Sequence, residues 1–148
     1  MGKRIARILF FMGLIGFMIT FSGCDKDEQI SDILTSKSWK RGMVDLNTST
    51  NPPGDHSYYP LFDCDTDDKY TFQKDGILVI ERGTNKCEQD EESIERLHYS
   101  IDRENNELII DSTRYLLAEE SETQIKYYKM VPAGGTNSLL KNMIFLLQ

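Results

Sequence analysis

The sequence predicts an all-β protein whose folded domain is a small eight-stranded antiparallel up-and-down barrel. Short stretches of alternating apolar and polar residues recur after residue 37, and clusters of Gly, Pro, Asn and Asp separate them. No stretch of about ten residues has the apolar spacing of an amphipathic helix, so helices that cross over between parallel strands are not expected. Consecutive strands should therefore pair antiparallel, and closure into a barrel would remove both exposed edges.

The predicted strands are short and follow one another closely. They span residues 38–46, 69–73, 77–82, 94–101, 107–111, 113–119, 124–131 and 139–147. Trp39 lies in the first, and Asp75-Gly76 after the second predicts a tight hairpin, because this pair tolerates the positive φ that such turns need. Residues 47–59, 63–68 and 83–92 are polar or charged and predict loops.

The last predicted strand is apolar on both faces, so only one of its two sets of side chains can enter the barrel. We expect the short apolar turn at residues 30–34 to pack on or near the barrel. We also expect the outward set to form a contact surface for a partner if it is exposed. If that outward set is instead buried within the domain, the partner surface is excluded and only the packing of residues 30–34 on or near the barrel remains expected. The two sets are Met143, Phe145 and Leu147, and Ile144 and Leu146.

The N-terminus has the pattern of a secretory signal peptide. Lys3, Arg4 and Arg7 precede an uncharged, apolar run of 14 residues, from residue 8 to residue 21. A membrane-spanning helix needs about 20 apolar residues, and a basic start with a shorter apolar region is typical of a cleaved signal. We therefore expect residues 1–23 to be removed.

The residues around Cys24 predict that the mature protein is lipidated. Phe21-Ser22-Gly23-Cys24 resembles the bacterial lipobox, although Phe21 stands where leucine is usual. The resemblance implies that Cys24 takes a diacylglycerol and becomes the acylated first residue. It divides the chain into a lipoprotein signal peptide at 1–23, a lipidated tether at 24–29 and a barrel domain at 30–148. The alternative is a free cysteine after an ordinary signal anchor.

Charged residues directly after Cys24 bear on where the protein is displayed. Lys26, Asp27 and Glu28 resemble the surface-export signal of Bacteroidota lipoproteins, a lysine followed by two acidic residues. The resemblance implies a lipid-anchored protein of the outer membrane that faces the cell exterior. An ordinary solvated tether is the alternative, because any charged linker can contain such a run.

The charge balance argues against nucleic acid as a partner. The chain has 17 Lys+Arg against 24 Asp+Glu, a formal net charge of −7. Removal of residues 1–23 takes away three basic residues and no acidic residue, which leaves a net charge of −10. Nucleic-acid binding needs a basic surface. Attachment to a membrane is therefore expected through lipid rather than through charge.

Two cysteines remain once Cys24 is assigned to lipid. An exported chain meets an oxidising compartment, so Cys64 and Cys87 predict one disulfide. A metal pair is the alternative. It is disfavoured because neither cysteine lies in a CxxC motif or near His56 or His98 in the sequence.

A longer pattern around the first hairpin resembles a known family. Cys64-x-x-Asp67-Asp68-x-Tyr70-x-Phe72-x-x-Asp75-Gly76, followed by Lys86-Cys87, resembles the lipocalin-like domains of Bacteroidota surface lipoproteins over roughly residues 30–148. The family implies an eight-stranded meander barrel and a Cys64–Cys87 bridge across the first hairpin. It implies no catalytic residues. Leu97 and Tyr99 stand in the region where the family often has a tryptophan.

Candidates for catalysis or metal binding are few. His56 and His98 are the only histidines, and no nucleophile motif such as GxSxG is present, so we expect no enzyme activity and no cofactor. The acidic loop 63–68 begins like a calcium loop, but Asp68 replaces the required glycine and Lys74 replaces the bidentate glutamate. The preferred interpretation is a solvated loop without a metal.

Aromatic residues are numerous enough to line a small cavity, although most are expected to be core. Eight-stranded barrels either fill their interior or hold one small ligand. We expect a non-enzymatic module that binds a small apolar or amphipathic molecule. The alternative is a structural or accessory surface lipoprotein that acts through protein–protein contacts. The aromatic candidates are Trp39, Tyr58, Tyr59, Phe62, Tyr70, Phe72, Tyr99, Tyr115, Tyr127, Tyr128 and Phe145.

Overall fold

Among the residues that the structure describes, eight strands in one sheet make up nearly all of the regular structure. The computed structural model describes residues 32–134 and 139–148, so the predicted signal peptide, Cys24 and the tether with Lys26, Asp27 and Glu28 lie outside the described residues. In the described ranges the helical segments are two 3-10 turns, Thr48–Thr50 and Asp63–Asp65. None of the helices there is long and apolar enough to cross a membrane. The all-β class is confirmed.

Seven of the eight strands form an antiparallel meander, within one residue of the predicted bounds. In chain order the strands are β1 His56–Tyr58, β2 Lys69–Phe72, β3 Ile77–Glu81, β4 Ile94–Asp102, β5 Glu107–Ile110, β6 Thr113–Glu120, β7 Ile125–Pro132 and β8 Leu140–Leu147. Each strand from β2 to β8 pairs antiparallel with the next. Gly76 has a φ of 81° in the predicted Asp75-Gly76 hairpin between β2 and β3.

The predicted first strand at 38–46 is wrong. Residues 39–42 instead bond to both ends of the meander: Trp39 exchanges backbone hydrogen bonds with Tyr70 of β2, and Lys40 exchanges them with Gln148 after β8. Successive residues of this segment form their backbone hydrogen bonds with different partners, first β2 and then the end of β8. Each connection is therefore an isolated bridge and not a ladder.

The sheet is neither closed nor purely antiparallel, which corrects the predicted barrel. After residue 42 the chain leaves the edge of β8, and β1 pairs in parallel with the remaining part of that edge. β1 lies inside the predicted loop 47–59. Its three residues extend the sheet because the N–H and C=O groups on the edge of β8 would otherwise lack partners.

One face of the meander, called here the inner face, carries the core. The N-terminal segment adds Leu34 and Trp39 to it, and Trp39 Nε1 donates a hydrogen bond to the Leu34 carbonyl oxygen at 2.8 Å. The expectation that the turn before the first strand packs on the sheet is therefore confirmed for Leu34, which is 1% exposed. Trp39, Leu108, Ile125 and Leu147 are all 0% exposed, so the inner face is filled at the end where β8 finishes.

β8 is buried on both faces. Phe145 and Leu147 belong to the inner core, as their alternation predicts. Ile144 and Leu146 face outward but are only 0% and 4% exposed, because residues of the segment 42–61 cover them. The expected partner surface on Ile144 and Leu146 is therefore wrong.

A buried ion pair attaches residues 45–51 to the outer face of β7. The Lys126 side chain is 0% exposed, and its ammonium nitrogen lies 2.8 Å from a carboxylate oxygen of Asp45, whose side chain is 4% exposed. Lys126 also donates hydrogen bonds to oxygen atoms of Asn47, Thr50 and Asn51. All the donors of the ammonium are thus used by the segment that covers it.

A disulfide and two carboxylates attach loop 83–92 to residues 63–68. Cys64 and Cys87 form the expected disulfide, with their Cα atoms 5.1 Å apart. Asp68 is 1% exposed and accepts hydrogen bonds from Arg82 Nη1 at 2.7 Å and from the Gly83 N–H at 2.9 Å. The Asp67 carboxylate lies so close to Gly83 that a Cβ atom there would overlap it.

Candidate ligand-binding cavity

The inner face encloses a cavity of about 720 Å³. It extends to the end of the sheet opposite the filled core, where its lining includes Ile110, Val131 and Met143. These three residues are only partly buried, so solvent reaches the cavity at this end. Sites for small molecules typically measure about 300–1,000 Å³ and are mostly apolar with a few polar groups. The size of this cavity is therefore that of a ligand site.

Six aromatic side chains form much of the cavity wall: Tyr59, Tyr70, Phe72, Tyr115, Tyr127 and Phe145. The Phe145 ring is stacked between two of them, with its centroid 5.3 Å from that of Tyr127 and 4.9 Å from that of Tyr59. Tyr115 meets Tyr127 and Phe145 edge to face, at 5.1 and 5.5 Å. Such packing holds these four rings in place, so this part of the wall is preformed.

Arg41 crosses this aromatic wall. Its backbone is fixed by the bridge to Leu147, and its guanidinium carbon lies 4.6 Å from the ring centroid of Tyr59 and 5.4 Å from that of Phe145. Its Nε atom is buried and has no hydrogen-bond partner among the described residues. A buried donor without an acceptor is costly, and Arg41 is directed at the cavity that it lines.

Two further basic residues line the cavity, but they differ in their partners. The Arg82 guanidinium is neutralised by Asp68, by Glu91 at 3.2 Å and by Glu95 at 2.6 Å. The Lys129 ammonium lies 5.2 Å from the ring centroid of Tyr115. Within 32–134 and 139–148, neither Lys129 nor Arg41 forms an ion pair. The cavity lining therefore holds two cations without an ion-pair partner among the described residues, Arg41 and Lys129, against one such carboxylate, Asp65.

The tyrosines of the cavity keep their protons at neutral pH. Burial raises the pKa of Tyr70, Tyr115 and Tyr127 above the ordinary phenol value, and the positive charge of Arg41 opposes that rise only in part. Their hydroxyl groups therefore remain hydrogen-bond donors as well as acceptors.

The structure brings together about half of the predicted aromatic candidates. Trp39 and Tyr99 are buried in the filled part of the core, and Tyr58 and Phe62 are exposed at 41% and 51%. The basic residues Arg41 and Lys129 were not among the candidates. The sequence contains an indication of both positions. Arg41 lies two residues after Trp39, and Lys129 lies two residues after the inward Tyr127, so each is expected on the same face as that aromatic residue.

Two carboxylates of the acidic loop 63–68, those of Asp67 and Asp68, accept hydrogen bonds within the protein. Asp67 accepts hydrogen bonds from the backbone N–H groups of Thr84 and Asn85. Asp68 accepts hydrogen bonds from Arg82 and from the backbone N–H of Gly83. Asp65 lies near the sulfur atoms of Cys64 and Cys87. Those sulfur atoms are joined in the disulfide and are not thiolate ligands. This grouping does not have the donors of a metal site.

Comparisons of the chain with protein-family models, with curated proteins and with solved structures gave no match. The lipocalin-like resemblance therefore stays a prediction.

Proposed function

We propose that this protein is a non-enzymatic binding module that holds one small apolar or amphipathic molecule in the cavity of its inner face. The observation that carries the proposal is a cavity of about 720 Å³ with a packed aromatic wall that reaches solvent at one end. The alternative is a structural or accessory surface lipoprotein that acts through protein–protein contacts; such contacts would have to use residues other than Ile144 and Leu146, which are covered within the domain.

A cavity-filling variant tests this proposal with a neutral probe, 1-pyrenebutanol. Leu97 and Ile110 line the cavity, so the double variant Leu97→Trp/Ile110→Trp should reduce the space available to the probe. We expect wild-type protein to bind the probe and the double variant to bind it at least about tenfold more weakly, a change of about 1.4 kcal/mol. Isothermal titration calorimetry measures both affinities.

The matched control places the same two tryptophans on the outside. Ile94 and Leu116 are 45% and 38% exposed, and Ile94→Trp/Leu116→Trp should leave the affinity for the probe unchanged. Equal weakening by both double variants, or no binding by wild-type protein, would refute binding in the cavity.

We further propose that the protein is an outer-membrane lipoprotein anchored through Cys24 and displayed on the cell exterior. The support is the sequence alone: the basic and apolar start, the lipobox-like Phe21-Ser22-Gly23-Cys24, and the charged Lys26, Asp27 and Glu28 after it.

Substitution of Cys24 tests the anchor. Cys24→Ser removes the thiol that takes the diacylglycerol, so metabolic labelling with a fatty-acid analogue should fall to background. Replacement of Lys26, Asp27 and Glu28 by alanine should leave labelling intact but abolish cleavage by protease added to whole cells. Equal labelling of Cys24→Ser and wild type would exclude the anchor, and unchanged protease access would exclude the export signal.

A further inference from the structure

The chemistry of the cavity also indicates which class of molecule it selects. A cavity for a purely apolar molecule needs no charge, because a buried cation loses hydration that an apolar ligand does not replace. Arg41 is nevertheless held there, with its Nε atom buried and without a protein acceptor among the described residues. The group that completes this arrangement is an acceptor, and a negatively charged one compensates the cation as well.

The position of Arg41 depends on the fold and not on a flexible loop. The backbone on either side of it is hydrogen-bonded to the end of β8, through the Lys40 N–H to Gln148 and the Gly42 N–H to Leu146, both at 2.9 Å. The guanidinium also packs on the rings of Tyr59 and Phe145, which leaves less side-chain freedom to lose on binding. A guanidinium fixed in this way can present its parallel N–H donors to the two oxygens of a carboxylate.

The acidic groups of the cavity do not supply that acceptor. Glu91 pairs with Arg82 and accepts from the Cys87 N–H at 3.0 Å. Asp65 accepts from the Phe62 N–H. Lys129, the second unpaired cation of the lining, adds to the local positive potential, whereas the chain as a whole is strongly acidic. An acidic surface repels anions at long range, so a preference for an anion would have to arise in the cavity.

We infer that the molecule bound in this cavity is an amphipathic organic anion, whose carboxylate pairs with Arg41 while its apolar body contacts the aromatic wall. This inference rests on the proposed function and narrows it from apolar or amphipathic molecules to acids. Tyr70, Tyr115 and Tyr127 line the same cavity, and their protonated hydroxyl groups are hydrogen-bond donors.

A pair of probes that differ only in the acid group tests the inference. At neutral pH, 1-pyrenebutanoate is an anion and 1-pyrenebutanol is neutral, while their aromatic bodies are the same. A charge-assisted hydrogen bond to a desolvated partner corresponds to at least about tenfold in affinity. Wild-type protein should therefore bind the acid at least about tenfold more tightly than the alcohol.

Arg41→Met keeps the apolar stem of the side chain and removes its charge, so it should abolish the preference for the acid and bring the ratio of the two affinities close to one. The matched control is Lys129→Met, which should retain most of the preference because its ammonium has no fixed fork of donors. Arg41→Lys should give an intermediate preference, and it serves as the second variant if Arg41→Met does not fold.

The outcomes separate this inference from the proposed function. Equal affinity of wild-type protein for the acid and the alcohol would overturn the inference. So would an undiminished preference for the acid in Arg41→Met or in Arg41→Lys. Neither result would contradict binding of the alcohol in the cavity. Failure of both probes to bind wild-type protein would overturn the proposed function itself.

Discussion

Replacing Lys126 by methionine should lower the free energy of unfolding by about 3–5 kcal/mol, the largest effect expected of any single substitution proposed here. Methionine fills a similar volume but leaves the carboxylate of Asp45 without its cation in a site where that carboxylate is 4% exposed. The oxygen atoms of Asn47, Thr50 and Asn51 lose a donor at the same time. Urea denaturation followed by circular dichroism measures the change.

A matched variant on the opposite face of β7 separates this effect from a general loss of charge. Lys129→Met removes the same group from the same strand, but Lys129 forms no ion pair among the described residues, so its cost should stay below about 1 kcal/mol. Asp45→Asn in the Lys126→Met background should recover part of the loss, because it removes the unpaired charge. A Lys126→Met protein as stable as Lys129→Met would contradict the account of the ion pair.

The same pair makes stability depend on pH in the acidic range. Burial by itself raises the pKa of the Asp45 carboxyl, but hydrogen bonds from Lys126, from the Asn47 backbone and from Tyr58 and Gln124 outweigh it and hold this pKa well below its usual range. Because the folded pKa is lower than the unfolded one, the stabilisation is present above the ordinary pKa of 3.8 and is lost as the pH falls below it. Lys126→Met should reduce that acid dependence.

Replacing Asp68 by alanine should lower the free energy of unfolding by about 3 kcal/mol. The change leaves the Gly83 N–H without its acceptor and removes the carboxylate that accepts a hydrogen bond from Arg82 Nη1. Asp68 is 1% exposed, so water does not readily replace it. Thermal and urea denaturation of the oxidised protein, with the Cys64–Cys87 disulfide intact, should both report the loss.

Asp63 provides the control for Asp68 within the same acidic loop. Its side chain is exposed, so Asp63→Ala should change stability by less than about 0.5 kcal/mol. Equal effects of the two substitutions would mean that Asp68 acts only through the general charge of the loop.

The meander from β2 to β8 could be predicted because its signals are local. Alternation within the last strand predicts that Phe145 and Leu147 share a face, and Asp75-Gly76 predicts the first hairpin; both predictions are confirmed. β1 could not be predicted, since His56–Tyr58 has no apolar alternation and its pairing depends on the free edge of β8, which is remote in sequence.

The buried polar groups show where alternation alone is not enough. In β7 it places Lys126 on the outer face, where lysine is ordinarily solvated, but residues 45–51 cover this face and bury the ammonium. The same alternation places Lys129 on the inner face, which indicates that the interior is not wholly apolar. The direction of the Arg41 side chain could not be predicted from alternation, because it follows from bridges of a short segment to two different strands.

The most direct test of the proposed function is native mass spectrometry of the protein purified from its own cells, as wild type and as Leu97→Trp/Ile110→Trp. The account predicts that wild-type protein retains one small organic molecule per chain and that the double variant loses it. A wild-type protein without any such molecule, or a variant that retains the same molecule to the same extent, would contradict the claim that this cavity is a binding site.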